Sequence, residues 1–211
     1  MKKKGFCCLL LSVVSVLLAF CLSLNTLAAH IILPGSDLDK MEYFVWTYSN
    51  AWSDRQIKNE CGLIHVDTSY REEDFWSTMN TFAIFDRTFP YPEKTYRYSL
   101  EDIQSIAYSL FPDYDGSLPA FPEFMRLCNP TPAEDDTVLF TPVLLEMQKL
   151  FLLGAYSDAD GEVTAVYLKE WSEGTDSYEL FSFSFTPNSR YNPDCLYSYP
   201  YVVSGITCIG L

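Results

Sequence analysis

Histidine and glycine are both scarce in this sequence of 211 residues, which has two histidines and nine glycines. A zinc site built on histidines is therefore excluded, and His65 is the one histidine well inside the folded part that could serve as a catalytic base. Gly-rich phosphate loops, G-x-S-x-G and H-E-x-x-H are absent as well. We predict no metal, no cofactor and no assignable catalytic residue. The neighbours of His65, Ile64 and Val66, favour a structural role for it on a strand.

Positive charge is also scarce, with 14 basic residues against 28 acidic ones and a formal net charge of −14. Such a surface repels phosphate backbones and anionic lipid headgroups, so the composition excludes nucleic-acid partners and a peripheral membrane surface. Solubility is the simplest explanation of the charge, and cationic partners are compatible with it.

The N-terminus has the layout of a secretory signal peptide. Lys2, Lys3 and Lys4 precede an uncharged run of 19 residues, 6–24, and small residues follow. We predict cleavage after Ala28 and a secreted, extracytoplasmic protein. Two alternatives remain, an uncleaved membrane anchor with the domain outside and lipidation at Cys21. Removal of the three leader lysines leaves 11 basic against 28 acidic residues, a net charge of −17.

The mature part, residues 29–211, has the length of a single globular domain. Four cysteines in an oxidising compartment predict two disulfides, with three alternative pairings. Cys195 and Cys208 are close in sequence, so we expect each of them to reach Cys61 or Cys128. The alternative interpretation is that these four residues are buried free thiols.

Three segments have the periodicity of amphipathic helices. The first begins at Ser36 or Asp37 and ends near Trp52. The second covers residues 70–86 behind a predicted capping box at Ser69, although part of it could instead form a strand. The third follows a predicted capping box formed by Ser99 and Asp102, with acidic residues in its first turn and a proline at its end.

The C-terminal half has the pattern of antiparallel strands, most clearly where Phe and Ser alternate in residues 178–186. We predict an α+β fold in which N-terminal helices pack on a C-terminal antiparallel meander sheet. The order of elements over residues 95–211 resembles cystatin-like or NTF2-like folds, and this resemblance implies no activity. The predicted strands are residues 137–141, one within 144–156, 163–171, 178–186 and 201–209.

Aromatic residues are abundant, with 15 Tyr, 15 Phe and 4 Trp, which exceeds the usual needs of a core. We predict that a loop over residues 190–201 presents tyrosines as a contact surface for another exported protein, a peptide or a glycan. The alternative interpretation is that these rings cover the end of the sheet. The candidate ligand-binding residues are Tyr191, Tyr197, Tyr199, Tyr201 and Trp171.

These features predict an exported, non-catalytic binding or interaction domain. One alternative is an exported hydrolase that uses paired carboxylates in the manner of a glycosidase, and another is a purely structural surface protein. Asp158-x-Asp160-Gly161 and Asp113-x-Asp115-Gly116 are turns rather than calcium loops, because the twelfth position of neither holds a carboxylate. The candidate carboxylates are Glu72, Glu73, Asp74, Glu101, Asp102 and Glu170.

Overall fold

A computed structural model describes residues 30–32, 38–49, 55–60, 62–86, 95–123, 130–133, 135–141, 149–170 and 177–210. The predicted leader, the cleavage site, Cys61, Cys128 and Trp171 lie outside these residues.

The three predicted helices are confirmed: α1 is Leu38–Ser49, α2 is Phe75–Phe85 and α3 is Leu100–Leu110. A short 3-10 turn, Glu72–Asp74, leads into α2, so this segment is helical rather than a strand. The capping box predicted at Ser99 is present, because Ser99 Oγ accepts from Asp102 N–H while the Asp102 carboxylate accepts from Ser99 N–H.

The capping box predicted at Ser69 is wrong. The residue before the 3-10 turn is Arg71, which makes no side-chain cap, and Ser69 N–H donates instead to the Asp67 carboxylate at 2.9 Å. The Asp67 carboxylate therefore accepts the hydrogen bond of an Asx-type turn. At the start of the helix, the acidic side chains of the first turn interact favourably with the helix dipole.

A seven-stranded sheet forms the larger layer, and all of its neighbouring strands are antiparallel. Its strands are β1 His30–Ile32, β2 Gln56–Lys58, β3 Ile64–Val66, β7 Lys149–Ser157, β8 Val163–Glu170, β9 Tyr178–Pro187 and β10 Tyr201–Gly210. Their order along the sheet is β1-β7-β8-β9-β10-β3-β2. The predicted meander is the centre of the sheet, and three short strands from the N-terminal half extend it at both edges.

The strands of a second, three-stranded sheet are β4 Tyr96–Ser99, β5 Thr131–Pro132 and β6 Thr137–Phe140. Their order along the sheet is β4-β6-β5. The strand predicted over residues 137–141 therefore exists, but it pairs with the segment before α3 instead of joining the meander. Pairing of Tyr98 with Val138 places both side chains in the core.

The core lies between the inner face of the large sheet and the three helices. The alternation predicted for β9 is confirmed, because Phe181, Phe183 and Phe185 are at most 3% exposed while the intervening serines are half-buried. Tyr48 of α1 donates its hydroxyl to Leu110 O at the end of α3 at 2.6 Å, which ties two helices together over the sheet. Burial raises the pKa of this hydroxyl, so it stays protonated and keeps donating.

Candidate functional site

The loop between β9 and β10, residues 188–200, is here called the tyrosine loop. Hydrogen bonds close its base: Asn188 N–H donates to Pro200 O at 2.8 Å. The Asn188 amide also donates to Tyr199 O at 2.9 Å and to Ser109 Oγ of α3 at 3.2 Å. The tyrosine loop is therefore held against the helix layer.

Two of the predicted contact residues of this loop are core residues. Tyr197 and Tyr199 are each 4% exposed. The Tyr199 ring meets Phe44 of α1 edge to face at 4.6 Å, and the Tyr197 ring meets Tyr98 of β4 at 5.2 Å. The expectation that these two rings form a contact surface is therefore corrected, because burial favours the alternative in which they cover the end of the sheet.

Of the two other tyrosines predicted to bind a ligand, one is exposed and the other packs against the core. Tyr191 is 39% exposed, whereas Tyr201 is half-buried and packs against the core. Leu196, which sequence reasoning missed, is 69% exposed. Leu196 lies between Cys195 and Tyr197, out of step with the inward Tyr197 and Tyr199, and this alternation is the local signal that could have placed it outward.

Cys195 and Cys208 are free thiols in this structure, and Cys208 is buried. Burial raises the pKa of the Cys208 thiol to about 12, so it stays protonated at neutral pH. Their expected partners, Cys61 and Cys128, lie outside the described residues, and the pairings stay predictions.

His65 is exposed on β3 and borders a groove of about 310 Å³ on the outer face of the sheet. Its cross-strand neighbour on β10 is Thr207. Among the described residues no hydrogen bond joins His65 to a hydroxyl group. The other hydroxyl residues that line the groove are Thr68, Ser182, Ser184 and Ser204.

The candidate carboxylates have local roles. Asp74 pairs with the Arg55 guanidinium at 3.1 Å, and Glu170 lies 3.9 Å from Lys149. Glu72 and Glu73 are exposed beside a groove of about 520 Å³ that Trp76 also lines. Asp102 belongs to the capping box of α3, and Glu101 is exposed in the same turn. These placements are those expected of helix starts and surface pairs.

A lysine occupies a buried position on β8, which the sequence analysis did not predict. Lys169 continues the inward face of β8 and is fully buried. Its ammonium donates to Ser49 O, at the C-terminal end of α1, at 2.6 Å. Burial lowers its pKa to about 8, partly offset by the Glu179 carboxylate. A cation at a helix C-terminus stabilises the helix dipole, so Lys169 links α1 to the sheet.

We expect Lys169→Met to change how stability depends on pH. The folded pKa of about 8 lies below the ordinary value of 10.5, so the unfolded chain binds more protons between these values. The contribution of Lys169 to the free energy of unfolding therefore rises with pH in this window. In urea unfolding between about pH 7.5 and about pH 9, the free energy of unfolding of the wild type should increase relative to that of Lys169→Met. Parallel curves for the two proteins would contradict this assignment.

Part of the edge of β7 has no strand partner among the described residues. β1 pairs with residues 155–157 of β7, and among the described residues no strand pairs with residues 150–154 on that side. This edge segment, residues 150–154, is about 17 Å long at the usual strand rise. Phe151 is 46% exposed and Leu153 is 58% exposed.

A β-bulge shapes the edge segment. The pairing of β7 with β8 shifts between Leu152 and Gly154, so Leu153 is the extra residue and Gly154 lies opposite Val166. Beside the bulge, an apolar row crosses four strands of the outer face. Its members, paired strand to strand, are Phe151, Leu168, Leu180 and Ile209.

Within the described part of the chain, no group of His, Cys, Asp and Glu side chains has an arrangement that could hold a metal ion. No helix among the described residues has the length and hydrophobicity needed to cross a membrane.

Comparisons of the chain with protein-family models, with curated proteins and with solved structures find no match.

Proposed function

We propose that this protein is an exported, non-catalytic binding domain that takes up an extended segment of a partner polypeptide along the free edge of β7. The observation that carries the proposal is the edge segment, where a strand edge that no described residue pairs with coincides with exposed apolar side chains. Strand addition of this kind draws its affinity from main-chain hydrogen bonds and its specificity from alternate side chains.

The chemistry of the edge segment favours a polypeptide strand over other ligands. An unpaired strand edge offers a row of N–H and C=O groups, which another strand satisfies and a lipid or an aromatic small molecule does not. A partner strand would also extend the ladder that β1 begins at residues 155–157. Natural proteins protect free edges with charges, prolines, bulges or short strands. The edge of β7 has a bulge at Leu153 and a charge at Lys149, whereas the side chains of residues 150–154 are all apolar or glycine.

The opposite edge of the sheet is a weaker candidate. β2 has three residues, and Gln56 and Lys58 flank its exposed Ile57. A short strand with a charged residue is the protected form of an edge.

The charge of the molecule indicates the charge of the partner. The full chain carries a net charge of −14, and removal of the predicted leader increases this to −17. A cationic segment is attracted over a Debye length, whereas a second acidic copy of this chain is repelled. The proposed partner is therefore a basic, extended segment of another protein.

Export rests on the basic start and the uncharged run of the N-terminus. The finer resemblance to cystatin-like or NTF2-like folds stays a prediction, and the proposal does not depend on it.

The test uses a labelled, end-blocked peptide of about nine residues that alternates valine and threonine and carries lysine at both ends. Fluorescence anisotropy should show that the purified protein binds this peptide. We expect the double variant Phe151→Lys with Leu153→Lys to weaken binding by about tenfold or more, because it removes apolar contacts and adds like charge.

The matched control is the double variant Ile57→Lys with Leu196→Lys. It makes the same change of charge at two other exposed apolar side chains, one on β2 and one on the tyrosine loop. We expect it to bind the peptide about as well as the wild type does. Equal loss of binding in both variants, or loss in the control alone, would reject the edge of β7 as the site.

A further inference from the structure

We infer that the segment bound along β7 carries an aromatic residue directly opposite Gly154. This inference rests on the proposed function, and it names the side-chain chemistry that the edge segment recognises. The feature that carries it is a gap in the outer face of the sheet, at Gly154.

Neither the backbone conformation nor packing within the chain requires a glycine at position 154. The glycines with positive φ are Gly62, Gly116 and Gly161 among the described residues. A Cβ placed on Gly154 would meet no atom within 4 Å. A glycine inside a strand weakens it, because it costs conformational entropy and packs no side chain. The described residues therefore leave open space above this position.

The open space has apolar borders. Gly154 pairs with Val166 of β8, and on the outer face of β7 it lies between Phe151 and Tyr156. The bulge residue Leu153 adds a fourth, largely exposed apolar side chain. A depression with these borders fits a flat apolar group and offers no described charged partner.

Strand addition places a partner side chain over this depression. In an antiparallel pair, directly opposed residues have Cβ atoms about 5 Å apart on the same face. An aromatic ring at the position opposite Gly154 can lie across the glycine and contact the apolar side chains beyond it, as aromatic residues do over glycines in sheets. Valine or threonine at that position is too short to cover the same area.

The experiment uses a set of peptides derived from the alternating valine and threonine peptide, in each of which one residue is phenylalanine. We expect one position of phenylalanine to bind the wild-type protein about three- to tenfold more tightly than the parent peptide does. The variant Gly154→Val fills the depression, so it should bind the parent peptide but lose this preference.

Gly210 provides the control, because it is also exposed, lies in a strand and has no atom within 4 Å of an added Cβ. The variant Gly210→Val should retain the preference for phenylalanine. If all peptides bind equally and the lysine double variant weakens them all, the aromatic inference is wrong and the proposed function stands. If the lysine double variant leaves binding unchanged, the proposed function fails and the inference fails with it.

Discussion

The double variant Tyr197→Ala with Tyr199→Ala should fail to fold stably. Each ring is 4% exposed, and truncation of a buried aromatic side chain costs about 3–5 kcal/mol. The sum for both rings, about 6–10 kcal/mol, is comparable to the whole stability of a typical domain. Loss of the Tyr199 ring removes the contact with Phe44 at 4.6 Å, and loss of the Tyr197 ring removes the contact with Tyr98 at 5.2 Å.

The polar surroundings of these rings add to the expected loss. The Tyr98 hydroxyl donates to the buried Asp86 carboxylate at 2.8 Å. Burial, together with the nearby Asp86 carboxylate, raises the pKa values of Tyr98 and Tyr199, so both hydroxyls stay protonated. A cavity beside a buried carboxylate would admit water to the core.

Circular dichroism with urea unfolding measures this effect. The matched control is Tyr191→Ala with Leu196→Ala in the same loop, where both side chains are exposed. We expect the control to change the free energy of unfolding by about 0.5 kcal/mol or less. Cooperative, near-wild-type unfolding of Tyr197→Ala with Tyr199→Ala would show that the tyrosine loop is not part of the core.

Arg55→Met should destabilise the fold by about 3–5 kcal/mol, because it breaks a buried ion pair by removing one partner. Arg55 is 1% exposed, and its Nε lies 3.1 Å from Asp74 Oδ2. Its Nη1 also donates to the carbonyl oxygens of Asp67 and Ser69, each at 3.0 Å. The variant would leave a partly buried carboxylate and two main-chain acceptors without this donor.

The effect should extend to the chain between β3 and α2. Burial alone would raise the pKa of Asp67, but hydrogen bonds from Ser69 and Arg71 outweigh it and lower the pKa to about 2. Arg71 also lies 3.9 Å from Asp74, so the two arginines and two aspartates form one network. Removal of Arg55 therefore releases the start of α2 from the β2–β3 hairpin.

Arg97→Met is the control for this prediction. Arg97 and Asp135 form an ion pair at 2.9 Å, but their side chains are 56% and 61% exposed. Exposed pairs contribute little to stability, so we expect no measurable change in urea unfolding. A similar loss of stability in Arg55→Met and Arg97→Met would show that burial does not increase the contribution of the Arg55–Asp74 ion pair to stability.

Local patterns predicted much of the fold. The alternation of Phe and Ser predicted which face of β9 is buried, and the helical periodicity after Ser99 predicted α3 with its capping box. Both predictions depend only on residues that are close in sequence. Pairing between distant segments was missed. β1, β2 and β4 have three or four residues each, and such short strands have no periodicity to read.

The candidate site was the part least open to prediction. The four apolar residues 150–153 predicted a strand, but only the strand order reveals that they lie at an edge. Tyrosines in a loop are typical both of core residues and of contact residues, so their presence alone did not predict which of them are buried. Lys169 occupies an inward position of β8 because the end of α1 supplies a carbonyl acceptor there, which no local pattern encodes.

Amide hydrogen exchange of residues 150–154, measured by NMR with and without the alternating valine and threonine peptide, shows whether a bound strand pairs with this edge. We expect the amides of this segment that face away from β8 to exchange rapidly in the free protein and to become protected when the peptide binds. Protection of these amides in the free protein, or peptide-induced protection confined to other strands, would show that strand addition at β7 does not occur.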